Sequence, residues 1–259
     1  MAHGPRRRRT PRGDPDPDDG GRHAGGRGRP RSHDDVHGSP GPPDLTADPP
    51  PSVPVEVPVP GGPTLSGRLF EGGPVGILLV HPFETGGGGP TSVEEITPVG
   101  AAFARAGYTV LMVDLRGHGA SPGERDHEPL EGDVAAMHAA LLDTGVEETF
   151  VIAWGVSGTA AVADVAAGTI DPAGLIGLFV RPQYLGLDVM EVLPEATTPM
   201  LFVSVEAGRS TRWAIRMLGV MPEGVGSTVE LPSSRGDPLR DLWPFVVEEA
   251  LDFIEATGA

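Results

Sequence analysis

Residues 150–160 read "FVIAWGVSGTA". Five apolar residues, 150–154, run into a turn that holds a glycine and a serine, and a small-residue helical pattern follows from 158. An apolar run of strand length without alternation is the pattern of a strand buried on both faces, which belongs in a parallel sheet covered by helices. Outward from this junction the same unit recurs. "VGILLV" (75–80), "TVLMV" (109–113), "LIGLFV" (175–180), "MLFVSV" (200–205) and "STVEL" (227–231) read as further strands. Between the first two of these, Ser92 with Glu95 forms a capping box that opens a helix, Gly107 closes it, and Pro98 is expected to kink it. Other helices fit 128–142, 158–167, 209–218 and 239–256.

The chain upstream of residue 75 follows a different rule. "VPVEVPV" (53–59) repeats valine at period two with prolines between, and proline cannot donate to a ladder, so this is an edge strand. "TLSGRLF" (64–70), after a "GGP" turn, reads as its hairpin partner. The fold class is therefore α/β: a doubly wound, mostly parallel sheet with an N-terminal antiparallel hairpin. Residues 52–259 form that domain. Residues 1–51, rich in Gly, Pro, Asp and Arg, have too little apolar surface to offset ordering entropy and are expected to be a disordered arm.

Charge separates the same two parts. The chain has 19 basic and 36 acidic residues, and residues 1–50 carry nine Arg against eight Asp. Subtracting these leaves ten basic and 28 acidic residues for 51–259, a net of −18. A body this acidic repels polyanions, so nucleic acid and anionic membranes are not expected partners of the folded domain. No apolar run approaches the roughly 20 residues that span a bilayer, and a cytoplasmic protein is expected. Cysteine is absent, which removes disulfides and thiolate metal sites. The histidines and carboxylates show no ligand spacing, so neither a metal nor a cofactor is expected.

Three stretches, taken in order, resemble the α/β-hydrolase family over about residues 53–256. "HPFETGGGG" (81–89) looks like the family's oxyanion loop with proline in place of its first glycine, "DLRGHGAS" (114–121) is close to its D-x-R-G-x-G-x-S turn, and "WGVSG" (154–158) falls where its nucleophile elbow belongs. The resemblance implies a serine hydrolase of esterase type. Family members with a substrate-covering cap insert it where this chain has only 18 residues, 181–198, so no large cap domain is expected.

The elbow exposes one strained residue, and the residues two before and two after it must be small. One register makes Ser157 the nucleophile, flanked by Gly155 and Thr159. The other puts Gly155 at the elbow between Ala153 and Ser157, with no nucleophile. The first is preferred because the Trp-Gly-x-Ser order is familiar from family members. It implies Phe83 and Gly158 as backbone oxyanion donors, Pro82 having no N–H.

The family's acid and histidine follow later strands. Here Gly208 stands about where the acid belongs, with Glu206 the nearest carboxylate, and Arg235 stands about where the histidine belongs. The last histidine of the chain is His138, ahead of the elbow. Arginine stays protonated and cannot act as the base. His127 is the one histidine imagined as reaching in from elsewhere. His81, Asp114, Arg116 and His118 are read as residues that hold their turns together.

Against this degenerate triad stands a second pattern. Arg116, Arg181, Arg209 and Arg235 closely follow strand ends, and Arg212 and Arg216 continue from Arg209 on one helical face. Ligands of open α/β sheets bind beyond those ends. Guanidinium forks bind carboxylate or phosphate, so Arg181, Arg209 and Arg235 are candidate anion ligands. Two functions stay open: an ester hydrolase acting on a small-molecule ester, or a non-catalytic relative that binds an anionic ligand or a protein in the same crevice.

Overall fold

A computed structural model describes residues 43–83, 91–126, 130–184, 186–232 and 238–258. Eight strands form one sheet in the order β1-β2-β4-β3-β5-β6-β9-β10. They are β1 (Val53–Pro58), β2 (Thr64–Phe70), β3 (Val75–Val80), β4 (Thr109–Val113), β5 (Glu148–Trp154), β6 (Gly174–Leu178), β9 (Met200–Val205) and β10 (Gly226–Leu231). β1 pairs antiparallel with β2 and β2 with β4, while every other neighbour is parallel. β7 (Gln183–Tyr184) and β8 (Leu187–Asp188) make a separate small hairpin.

Strand alternation divides the core between two layers. Leu78, Val80, Leu111, Val113, Val151 and Ala153 share one buried cluster with residues of α2 (Leu130–Leu142), α3 (Gly155–Ala166) and α4 (Arg209–Leu218). Their neighbours Ile77, Leu79, Val110, Met112, Phe150 and Ile152 belong to a second cluster with α1 (Val93–Arg105) and α5 (Pro238–Thr257). The central strands are buried on both sides because helices cover both faces, which is why their sequences carry no polar alternation.

Several boundaries depart from the sequence reading, each for a local reason. α3 begins at Gly155, three residues earlier than expected, because the chain turns there and not at Ser157. β6 stops at Leu178, because Phe179 takes φ 53 and leaves the extended conformation. In α1 the Ser92 hydroxyl accepts the Glu95 N–H at 3.4 Å, but Glu95 reaches back to the Thr91 N–H at 2.7 Å, one residue beyond the usual partner. α1 runs on through Pro98. Ahead of the expected domain start at 52, Arg105 donates to the Asp44 carbonyl at 2.9 Å and to the Asp48 carbonyl at 3.3 Å, and Leu45 packs on the second cluster. Residues 1–42 of the expected arm lie outside the described residues.

Asp164 on α3 has 3 % of its surface exposed, and its Oδ2 has no hydrogen-bond partner among the described residues. Burial raises its pKa from 3.8 to about 8, with a smaller contribution from the Glu131 charge. The folded protein therefore keeps a proton that the unfolded chain loses between the two values. Stability falls as pH climbs through that window and levels off above the folded pKa. Asp164→Asn is expected to remove this slope, so its melting temperature should exceed that of the parent by a margin that widens from pH 5 to pH 8. Thermal unfolding across that range checks it, and a constant difference would contradict it.

Candidate active site

β5 passes into α3 in a single residue. Trp154 is still extended, at φ −116 and ψ 135, and Gly155 takes φ 60. That left-handed conformation is open to glycine without strain and unfavourable for other residues. Among the described residues, a Cβ built at Gly155 meets no atom within 4 Å. A side chain there would project into open space at the C-terminal end of the sheet, which is the geometry of an elbow. Ala153 and Ser157, the residues two before and two after, are both 0 % exposed.

Ser157, the expected nucleophile, is buried in this geometry. Its hydroxyl donates to the His81 carbonyl at 2.9 Å and accepts the Phe83 N–H at 3.0 Å. Both bonds cross from the first turn of α3 to the loop after β3. The Phe83 N–H, expected as an oxyanion donor, is engaged by Ser157. The N–H that follows Gly155 is that of Val156, and Gly158, the other expected donor, lies three residues further into the helix. A Cβ on Gly158 would stand 2.9 Å from the Ala153 carbonyl oxygen, so its bareness serves the close approach of helix to strand. Thr159, too bulky for the Ser157 register, fits this one by donating to the Gly155 carbonyl at 3.2 Å and the Arg181 carbonyl at 2.9 Å.

The loop that carries Phe83 is fixed from the other side by His81. Its Nδ1 lies 2.9 Å from the Pro82 carbonyl, and its Nε2 lies 3.0 Å from the Leu115 nitrogen. Leu115 can only donate, so Nε2 accepts and Nδ1 carries the hydrogen. Burial lowers the His81 pKa to about 4, which keeps the ring neutral near pH 7. Asp114 holds the next turn: it accepts the Val93 N–H at 2.6 Å and the Ala120 N–H at 2.8 Å. Arg116 pairs with the buried Asp133 of α2, its Nε at 2.7 Å from Oδ2. His118 is buried against the rings of His81 and Phe83, with centroids at 5.3 and 5.0 Å. The "DLRGHGAS" turn thus ties β4 to α1 and α2.

The remaining triad positions supply little. After β9, Glu206 is exposed and donates its backbone N–H to the Leu231 carbonyl at 2.9 Å; its carboxylate makes no ion pair among the described residues. The described histidines 81, 118 and 138 are all buried, and His138 is bonded to Thr149 at 2.8 Å. Arg235 and His127 lie outside the described residues, as do residues 84–90 of the oxyanion loop.

Aromatic side chains, which the sequence reading overlooked, flank the elbow. Trp154 packs against Phe179 and Trp243 with centroids at 5.4 and 4.9 Å. The Arg181 guanidinium lies 4.6 Å from the Tyr184 ring and 5.5 Å from the Trp213 ring. Trp213, four residues after Arg209, was legible as a neighbour on the same helical face. Arg209 itself is exposed at the start of α4. Among the described residues no three His, Asp or Glu side chains gather as metal ligands, and no helix is long and apolar enough to cross a membrane.

Comparison with known proteins agrees with this layout. Residues 77–257 match the model of an alpha/beta hydrolase family. A thermostable monoacylglycerol lipase of Bacillus sp. (strain H-257) is 48 % identical over 60 residues, a match that spans 22 % of each chain. Among solved structures, a lidless α/β serine hydrolase from Xanthomonas campestris superimposes with a TM-score of 0.65 at 17 % identity, covering 80 % of this chain and 96 % of that one. An esterase from Pyrococcus furiosus gives 0.63 at 16 % identity, covering 86 % and 96 %. The structural neighbours carry the fold argument.

Ser157 is bonded to two backbone groups that have no water to fall back on. Ser157→Ala should therefore destabilise the protein by about 2 kcal/mol, the usual penalty for orphaning buried polar groups. Urea unfolding measures it. A stability unchanged by the substitution would contradict the bridging role.

Proposed function

The chain belongs to the α/β-hydrolase family, and on that premise we propose that it is a member without a serine nucleophile. It binds a small ester or an anionic small molecule in the crevice above Gly155 and does not cleave it through an acyl-enzyme. The observation that carries this reading is the bare, left-handed Gly155 at the elbow, with open space where a nucleophile's side chain would stand.

Three further features support it. Ser157, two residues after the elbow, is 0 % exposed and spends its hydrogen on the His81 carbonyl. A serine so placed cannot approach a carbonyl carbon without breaking that bond and leaving the helix turn. No histidine follows residue 138, so the family's general base has no candidate after β10. Without a positioned base a serine hydroxyl is a poor nucleophile. The oxyanion donors have also lost their purpose: the Phe83 N–H already has an acceptor in Ser157 Oγ, at 3.0 Å.

The ligand class follows from the crevice and the relatives together. The matched lipase and the structurally similar esterase are described as acting on esters, so a neutral ester or its carboxylate product suits the inherited crevice. The lack of a lid leaves the site open, as in the lidless structural neighbour. Arg181, half-buried beside the elbow through Thr159, supports an anionic ligand over a neutral one.

A fluorophosphonate probe tests the reading on the full chain. The parent and Ser157→Ala should both remain unlabelled, and p-nitrophenyl ester hydrolysis should stay at the background rate. Labelling of the parent that vanishes in Ser157→Ala would overturn the proposal and return Ser157 to the role of nucleophile. Gly155→Ser serves as a geometric control. It places a hydroxyl in the open elbow at a strain cost of about 1 kcal/mol, and it should remain inert because no base attends it.

A further inference from the structure

Of the ten arginines in residues 51–259, three lie on α4 and a fourth, Arg181, lies against Trp213 of that helix, in a body whose net charge is otherwise strongly negative. Arg209, Arg212 and Arg216 stand at i, i+3 and i+7 of α4, and Trp213 lies on the same face between them. All three arginines are exposed, and none forms an ion pair among the described residues. Glu206, three residues before Arg209, is exposed as well and does not pair with it. The fourth, Arg181, comes from the chain after β6 and lays its guanidinium over Trp213 and Tyr184.

This arrangement is unfavourable as surface decoration. Like charges one turn apart on a helix repel each other. Arg209 and Arg212 also lie in the first turn of α4, which contains no acidic residue, at the end where the helix dipole disfavours cations. A local choice that contradicts the stability of its own element is the kind that function explains. Arg181 is different in quality: stacking on two rings fixes the plane of its fork, so little freedom is lost when its N–H groups meet an acceptor.

We infer that the rim formed by Arg181, Arg209, Arg212 and Arg216 around Trp213 binds the phosphate group of a compact phosphate-bearing small molecule. The inference rests on the reading of the crevice as a binding site and names its ligand. Compactness follows from charge. The basic cluster occupies one short helix face and one loop residue, and screening acts over about 8 Å, so an extended polyanion would meet the acidic remainder of the domain. Phosphate follows from density. Several guanidiniums along one helix face are better neutralised by a group of charge near −2 with three acceptor oxygens than by one carboxylate. Hydrogen bonds also tie the site to the elbow: the Arg181 carbonyl and the Gly155 carbonyl share the Thr159 hydroxyl, at 2.9 and 3.2 Å.

Calorimetric titration of the full chain with inorganic pyrophosphate is the test, with circular dichroism to show that each variant is folded. One saturable site is expected in the parent. Arg212→Gln should weaken it about tenfold. Arg181→Lys, which keeps the charge but not the planar stack, should weaken it about fivefold. Arg68→Gln removes an equal charge from exposed β2, far along the sheet order, and should change affinity by less than about twofold.

No saturable binding to the folded parent, or an equal loss in Arg68→Gln, would overturn the site. Oligoglutamate or anionic vesicles that outcompete pyrophosphate would overturn the phosphate assignment in favour of an acidic peptide or a lipid surface. Fluorophosphonate labelling on the same samples separates the two claims. Labelling with pyrophosphate binding intact would refute the elbow reading and support the site. Absent labelling with absent binding would refute the site alone.

Discussion

A buried strand that passes directly into a helix lying back across the sheet must change direction within about one residue. Here Gly155 makes that change by adopting φ 60. The rest of the crevice is built on it. Because the helix starts at once, Ser157 and Gly158 fall on the side of α3 that faces β5 and the loop after β3. The bare Gly158 lets the helix approach the Ala153 carbonyl, and Ser157 then lies within reach of both His81 and Phe83. Shifting the turn by two residues would put Thr159 where a small residue is needed and would break all of these contacts together.

The buried carboxyl groups display three ways of placing an acid inside such a domain. Asp114 is held by backbone N–H groups from α1 and from its own turn, so its charge is met by dipoles. Asp133 is 0 % exposed and is met by the full charge of Arg116, which anchors the turn to α2. Asp164 has neither, and burial drives it to the neutral acid with a pKa of about 8. The first two positions lie near the crevice and fix its loops. Asp164 sits far along α3, where a neutral carboxyl fixes nothing and makes stability depend on pH. Protonation substitutes for a partner only at that third place.

Much of the fold was legible because its signals are redundant. Eight strand-length apolar or alternating runs, a capping box and prolines on the edge strand all imply the same hairpin followed by a parallel sheet. The elbow register was not legible in this way. Gly155 and Ser157 are both small, both sit near the strand's end, and a Trp-Gly-x-Ser order suits either register. Two physical clues favoured Gly155: glycine alone takes a left-handed turn freely, and Thr159 is too large for the flank of a Ser157 elbow. Family familiarity outweighed them. The end of β6 was hidden for a related reason, since nothing in "LIGLFV" announces that Phe179 adopts φ 53. The docking of residues 43–51 escaped notice because it depends on one leucine and on carbonyls meeting Arg105.

Strain and charge now sit in different places from where an ester hydrolase of this fold needs them. A serine elbow stores backbone strain at the nucleophile and spends its oxyanion N–H groups on the transition state. In this chain glycine relieves the strain at 155, and Ser157 takes up the Phe83 N–H within the resting structure. What remains unfavourable has moved to the rim. Phe179 and Ala207 hold φ 53 and 54 at the ends of β6 and β9, and the arginines on α4 form no ion pair among the described residues. Those two strand ends deliver Arg181 and Arg209. An unstrained elbow beside a strained, charged rim is the distribution that the proposed binding role calls for.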